Sequence, residues 1–280
     1  MSVNDRFEEH HQDRGDGRQL EFRLEIEAPR EAVWRALTEA AELERWFPFQ
    51  ARVEPGVGGF IELSWDGAFD AVNRIEAWDR LRHLQTGWFE GDSPGPLLVD
   101  YFLEGEGGRT ILRLVHHGFG ADEDWDDLYD GIRHGWCFEL RCLRHYLERH
   151  HGVDRRVIRV RQQLGQVGAG QDPDAGRDAA WSVLLGADGL VAVDTEAGGV
   201  SLRLDSSPCG ELIVHRRSRE LAVRFEAWND SLLRFAVERM GGPGSPLEVW
   251  LWFETWGVDT VELRHLESAL RQQLDRLLPP

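Results

Sequence analysis

Residues 125–147 read WDDLYDGIRHGWCFELRCLRHYL, and this stretch decides the fold. Its apolar side chains recur every three or four residues, which is the spacing of one face of an α-helix. The stripe consists of Trp125, Leu128, Ile132, Trp136, Leu140, Leu143 and Leu147. The pattern predicts a long amphipathic helix that begins near Asp122 and ends near Gly152, since glycine commonly follows a helix C-terminus.

The chain before this helix has the pattern of β-strands. Phe22, Leu24 and Ile26 alternate with charged residues, which predicts a half-buried strand. A short helix around Trp34 follows, and alternating runs then continue as far as His116. Because a helix that follows antiparallel strands buries its apolar stripe on their sheet, we expect a two-layer α+β unit.

The same order of elements recurs about 140 residues further along the chain. A short helix around Trp181 and several strand patterns are followed by a final helix over residues 258–278. We therefore expect a disordered lead over residues 1–18, a first domain over residues 19–152 and a second domain over residues 153–280.

The composition excludes several classes of function. Fifty acidic and 32 basic residues give a formal charge of −18, which disfavours binding to nucleic acid or to an anionic membrane. All the basic residues are Arg, so Schiff-base chemistry and a P-loop lysine are excluded. The three Cys residues have no metal-ligand spacing. We expect a cytoplasmic protein without a transmembrane helix, and its oligomeric state is not predicted.

Several motifs of the first half resemble one known family. The string IEAPREAVWRALT (residues 26–38), Trp46, the pair Gly58-Gly59 and the pair Gly135-Trp136 are similar to the SRPBCC superfamily, and within it to the heat-shock chaperone ATPase activator homologues. The resemblance covers roughly residues 20–150. It implies a START-like helix-grip fold, in which a curved antiparallel sheet wraps a long helix around a cavity.

The second half departs from this pattern, because it lacks the Ala-Pro start and the Gly-Trp pair. We interpret it as a diverged second copy. The expected fold class is therefore α+β, with tandem two-layer helix-grip domains. Members of the superfamily include lipid carriers, cyclase-like enzymes and co-chaperones, so the fold alone does not select a function.

Strand alternation and helix phase predict which side chains face the cavity. The candidate ligand-binding residues are Trp65, Asn73, Trp88, Tyr101, Leu103, Leu112, Leu114, Ile132, Trp136 and Leu140. This set is apolar and aromatic with few polar groups, as is usual for small-molecule pockets. The alternative is that the same side chains pack against one another and fill the core.

Three polar residues are candidates for catalysis. Glu139 lies at the edge of the helix stripe, and His116 and Asn73 share the phase of inward-facing strand residues. A buried carboxylate with a raised pKa is suited to acid–base chemistry. Each residue has a structural alternative, which is an ion pair for Glu139 and a hydrogen bond within the core for His116. No metal or cofactor is expected, since adjacent His residues in a strand point to opposite faces.

The leading prediction is a protein that binds a small hydrophobic or aromatic ligand in the first domain. One alternative is a polyketide cyclase or aromatase that uses the same cavity. The other is a co-chaperone that docks on a protein partner through its acidic surface.

Overall fold

The computed structural model describes residues 6–13, 17–65, 70–88, 97–105, 107–164, 173–186, 188–194, 199–204, 208–216, 218–238 and 247–278. The chain divides into two compact units, Met1–Val153 and Asp154–Pro280. None of the described helices is long and apolar enough to cross a membrane.

The first unit is built on one antiparallel sheet in the order β1-β2-β8-β7-β6-β5-β4-β3. Its strands are β1 (Phe7–Asp13), β2 (Arg18–Ile26), β3 (Gln50–Glu54), β4 (Phe60–Ser64), β5 (Asp70–Asp79), β6 (His83–Trp88), β7 (Leu97–Glu104) and β8 (Thr110–Phe119). Its helices are α1 (Arg30–Thr38), α2 (Ala40–Leu43) and α3 (Asp126–His145), and a π-helical turn over Tyr146–His150 continues α3.

Helix α3 packs on one face of this sheet, which we call the inner face. The stripe residues Trp136, Leu140 and Leu143 are buried, and so are the alternating residues of β2 from Leu20 to Ile26. Leu128, which the helical spacing places on the same stripe, is instead 38% exposed, because it lies in the first turn of α3, where the apolar contacts have not yet begun.

The expectation of a disordered lead over residues 1–18 is wrong for residues 7–13. They form β1, which pairs with β2 along its whole length, from Phe7 opposite Leu24 to Asp13 opposite Arg18. Side-chain contacts explain the order, since the ring of Phe7 lies 5.9 Å from that of Phe22 and 3.9 Å from the guanidinium carbon of Arg141.

The second unit repeats this plan. Its strands are β9 (Arg155–Gln163), β10 (Val191–Asp194), β11 (Gly199–Leu202), β12 (Cys209–Arg216), β13 (Glu220–Phe225), β14 (Ser231–Glu238) and β15 (Glu248–Trp256), and its helices are α4 (Pro173–Leu185) and α5 (Thr260–Leu277). The sheet order is β10-β11-β12-β13-β14-β15-β9. This is the order β3-β4-β5-β6-β7-β8-β2 of the first unit, so the two units share one topology.

The core of the second unit is closed. Leu263, Leu266, Leu270 and Leu274 of α5 pack into one cluster with inner-face residues such as Leu251, and most members of that cluster are 0–5% exposed. Asp259 caps the helix by accepting a hydrogen bond from the Val261 amide at 2.8 Å. The predicted fold class, tandem two-layer α+β units each with a long C-terminal helix on an antiparallel sheet, is therefore confirmed.

Candidate functional site

Trp136 of α3 is the centre of an aromatic group on the inner face of the first sheet. Its ring lies 5.7 Å from Phe47, 6.1 Å from Tyr101 and 6.2 Å from His116. Phe47 also contacts Trp65 edge-on, with ring centroids 5.1 Å apart. We call the following residues the Trp136 cluster: Phe47, Trp65, Thr86, Val99, Tyr101, His116 and Trp136.

Residual solvent access distinguishes this cluster from the rest of the inner face. Leu112 and Leu114 are 1% and 0% exposed, whereas Tyr101 and Trp136 each keep 9% of their surface accessible. His116 and Val99 keep 7%. The accessible surface is therefore concentrated at the end of the sheet where β6 ends and β7 begins, beside Trp136.

The ten predicted ligand-binding residues occupy three kinds of environment. Leu103, Leu112, Leu114 and Leu140 are closed within the core. Trp65, Tyr101 and Trp136 belong to the Trp136 cluster, and Asn73, Trp88 and Ile132 are half-buried.

Sequence reasoning missed two members of the cluster. Thr86 follows the phase of Leu84 and Trp88 on β6, so alternation was a sufficient signal for it. Phe47 lies in the connection after α2, where no periodicity indicates which way a side chain points.

His116 lies on the inner face, where strand alternation predicts it. Its Nδ1 accepts a hydrogen bond of 2.9 Å from Trp136 Nε1. Burial, with a smaller contribution from the neighbouring His117, lowers the pKa of His116 to about 3, so the ring is neutral at pH 7. Because Nδ1 accepts and the ring is neutral, its single proton is on Nε2.

Two hydroxyl groups accompany His116 on adjacent strands. Thr86 on β6 and His116 on β8 both lie opposite Val99 of β7, and Tyr101 is two residues further along β7 on the same face. Burial raises the pKa of Tyr101, which keeps the phenol neutral. Among the described residues, neither hydroxyl nor His116 Nε2 has a hydrogen-bond partner.

The three candidate catalytic residues do not form one compact group. Asn73 on β5 is three strands away from His116 on β8, a separation of roughly 14 Å along a sheet. Its Nδ2 donates to the Ile61 carbonyl at 3.4 Å. Glu139 is buried on α3, one residue before Leu140.

The outer face of the same sheet carries a separate polar cluster. Asp100 binds His83 through Oδ1 at 2.7 Å and His117 through Oδ2 at 2.9 Å, and Gln85 donates to Oδ1 at 2.9 Å. Burial alone would raise the pKa of Asp100, but the hydrogen bonds from His117, His83 and Gln85 outweigh it and hold that pKa below its usual value. His116 and His117 thus point to opposite faces of the sheet.

A surface groove of about 320 Å³ lies elsewhere in the first unit, between α1 and the end of β5. Trp34 and Trp78 meet edge-on in it, with ring centroids 5.1 Å apart. The remaining lining residues are Glu31, Arg35, Thr38, Glu39, Pro55 and Arg80. None of the predicted ligand-binding residues lines this groove.

The fold and this inner-face arrangement define the first unit as an α+β helix-grip module. Residues 27–148 match the family model described as "Activator of Hsp90 ATPase homolog 1-like protein". The resemblance of the N-terminal half to that family is therefore confirmed. A comparison with curated proteins gives no match.

Solved structures with a similar fold include three that cover one or both halves. CalU16 from Micromonospora echinospora is 25% identical over 50% of this chain and 85% of its own, with a TM-score of 0.42. The Aha1 dimer from Colwellia psychrerythraea is 20% identical over 48% of this chain and 98% of its own, with a TM-score of 0.42. DynU16, a protein of the dynemicin biosynthetic locus, is 16% identical over 93% of this chain and 96% of its own, also at 0.42.

Proposed function

We propose that the first unit binds a small, largely apolar molecule in the accessible space beside Trp136. The observation that carries this proposal is the residual accessibility of the Trp136 cluster, whose members are otherwise enclosed by the sheet and α3. Protein interiors are close-packed by default, so accessible surface on enclosed aromatic rings points to room for a guest.

The chemistry of the lining supports an apolar ligand. In the strand register, the described inner-face residues of β4 to β8 include no carboxylate and no Arg. Aromatic rings from three different segments, those of Phe47, Tyr101 and Trp136, meet there. Flat aromatic walls with a few fixed polar groups favour a flat apolar guest.

The state of His116 favours binding over proton transfer. A general base works best when its pKa is near the working pH, whereas the pKa of His116 is about 3. A cyclase-type reaction would therefore need another base. Loss of turnover in Glu139→Gln or Asn73→Ala, with folding intact, is the result that would restore the enzymatic alternative.

A space-filling substitution tests the proposal without knowledge of the ligand. Val99→Phe adds a ring next to the accessible surface, so we expect its free energy of unfolding to change by less than about 1 kcal/mol. The matched control is Val223→Phe on β13 of the second unit, where Val223 is fully buried in a closed core. Overpacking there should cost about 1–3 kcal/mol.

Ligand screening completes the test. A panel of neutral aromatic compounds should raise the melting temperature and shift the tryptophan emission of the wild type, and both responses should be lost in Val99→Phe. If no compound produces either response, and Val99→Phe is as destabilising as Val223→Phe, the proposal is wrong. The description of the matching family also makes stimulation of an Hsp90 ATPase a useful parallel assay for the co-chaperone alternative.

A further inference from the structure

The polar atoms of the Trp136 cluster indicate what kind of ligand the site accepts. We propose that the ligand is uncharged and carries a carbonyl-type oxygen that accepts a hydrogen bond from His116 Nε2–H, while its apolar body lies against Trp136. This inference rests on the proposed function, because it identifies the ligand class of the same site.

The first step is the tautomer of His116. An indole Nε1–H is a donor only, so the 2.9 Å contact with Trp136 uses the lone pair of His116 Nδ1. The proton of the neutral ring is then held on Nε2, which acts only as a donor. Helix α3 thereby fixes both the orientation of the ring and the direction in which it donates.

The second step is that this donor is available. His116 is more than nine-tenths buried, and its Nε2 has no partner among the residues that the structure describes. A buried donor without a partner costs about 1–3 kcal/mol, and a ligand oxygen removes that cost. The hydroxyls of Tyr101 and Thr86 are equally buried and equally available, and each can donate or accept.

The third step concerns charge. The described inner-face residues of β4 to β8 offer no ionised partner, and His116 remains neutral at physiological pH because burial lowers its pKa. An ionised ligand would lose its hydration without a compensating charge. The site therefore discriminates against carboxylates and ammonium groups and accepts neutral ketones, quinones and similar oxygen acceptors.

The fourth step concerns size. Thr86 and His116 lie on either side of Val99, two strand spacings apart, which is roughly 10 Å. A fused system of two or three aromatic rings spans that distance. Such a ligand would contact His116 with one edge and still reach the Thr86 hydroxyl.

The test uses a pair of probes that differ in one oxygen atom. 9-Fluorenone and fluorene have nearly the same shape, and only the ketone accepts a hydrogen bond. Dissociation constants for both are measured by equilibrium dialysis on the full-length protein. Wild type should bind 9-fluorenone about 3- to 10-fold more tightly relative to fluorene than His116→Phe does, since one neutral hydrogen bond contributes that factor.

Three controls make the result specific. His117→Phe changes the neighbouring ring on the outer face and should leave the ketone preference at its wild-type value. 9-Fluorenone-4-carboxylate should bind the wild type at least 10-fold more weakly than 9-fluorenone. Long-range ¹H–¹⁵N spectra of the wild type should show His116 protonated on Nε2 only, with that resonance shifting on addition of 9-fluorenone, which covers the case in which His116→Phe does not fold.

The outcomes separate the two proposals. If neither probe binds, the proposed function fails and this inference fails with it. If both probes bind and the ketone preference is the same in His116→Phe, the ligand-binding function stands and the role of His116 is wrong. Equal binding of the carboxylate, or a His116 ring protonated on Nδ1, also overturns the inference.

Discussion

Trp136 of α3 donates a 2.9 Å hydrogen bond to Nδ1 of His116 on β8, and this bond joins the long helix to the sheet beside the accessible space. The second unit has a different arrangement at the corresponding point. Thr255 precedes Trp256-Gly257 as His116 precedes His117-Gly118, but it is 1% exposed and donates to the Arg156 carbonyl at 3.0 Å. The two units therefore share a topology, and the first has an unused polar group where the second has a satisfied one.

The first prediction concerns the pH dependence of stability. The pKa of His116 is about 3 in the folded protein and near 6.5 in an unfolded chain, so the unfolded state binds more protons between these values. The contribution is fully present above pH 6.5 and is lost as the pH falls toward 3, by up to about 1.4 kcal/mol per pH unit. Urea unfolding at pH 7, 6 and 5 should show this slope in wild type and a shallower one in His116→Phe. Identical slopes would contradict the buried, neutral state of His116.

The second prediction concerns the connection between α2 and the end of α3. Tyr146 Oη donates to Glu42 Oε2 at 2.6 Å and accepts from the Gly152 amide at 3.0 Å. Burial, reinforced by the bond to Glu42, raises the pKa of Tyr146 to about 12. Tyr146→Phe leaves a buried carboxylate oxygen without this donor and should lower the free energy of unfolding by about 1–3 kcal/mol.

Tyr129→Phe is the matched control for Tyr146→Phe. The Tyr129 hydroxyl is half-buried and donates to the Gln19 carbonyl at 3.3 Å, so its removal should cost less than about 1 kcal/mol. Equal losses in the two variants, measured by chemical denaturation, would show that the buried Tyr146–Glu42 bond has no special weight.

The third prediction concerns β1. Its pairing with β2 and the contact between Phe7 and Arg141 should protect its backbone amides from hydrogen exchange. Phe7→Ala should remove this protection and lower the free energy of unfolding by about 1–2 kcal/mol, as expected for a half-buried ring. His10→Ala, on the exposed side of the same strand, should do neither. Unprotected amides over residues 7–13 in wild type would contradict the strand.

The fourth prediction separates the outer face from the ligand site. The pKa of Asp100 is lowered in the folded state, so its contribution is present above about pH 4, the value for an unfolded Asp, and is lost as the pH falls through the folded pKa. Asp100→Asn should lower the free energy of unfolding at pH 7 by about 1–3 kcal/mol, since two imidazoles lose a charged acceptor. The preference for 9-fluorenone over fluorene should not change. A change in that preference would link the outer face to the Trp136 cluster.

Elements with regular hydrophobic patterns were predictable from the sequence. The stripe of α3 and the alternation in β2 and β8 are sufficient to place these elements and the inward direction of His116. The repeat was visible as an order of elements, because topology persists where residue identity does not. The boundaries were less accurate, and α4 begins at Pro173 rather than at Asp178.

Other features depend on contacts between distant segments and were not predictable. Residues 7–13 (FEEHHQD) contain one apolar side chain, so β1 owes its order to pairing with β2 and to packing on α3. The bond between Trp136 and His116 requires a specific placement of α3 over β8, which periodicity does not supply. The bonds from Asp100 to His83 and His117 likewise depend on the register of β6, β7 and β8.

A crystal structure of the protein with 9-fluorenone tests the central claim most directly. The account predicts the ligand beside Trp136, between α3 and strands β6 to β8, with its oxygen about 3 Å from His116 Nε2. A ligand in the Trp34–Trp78 groove, or one beside Trp136 whose oxygen points away from His116, would contradict it.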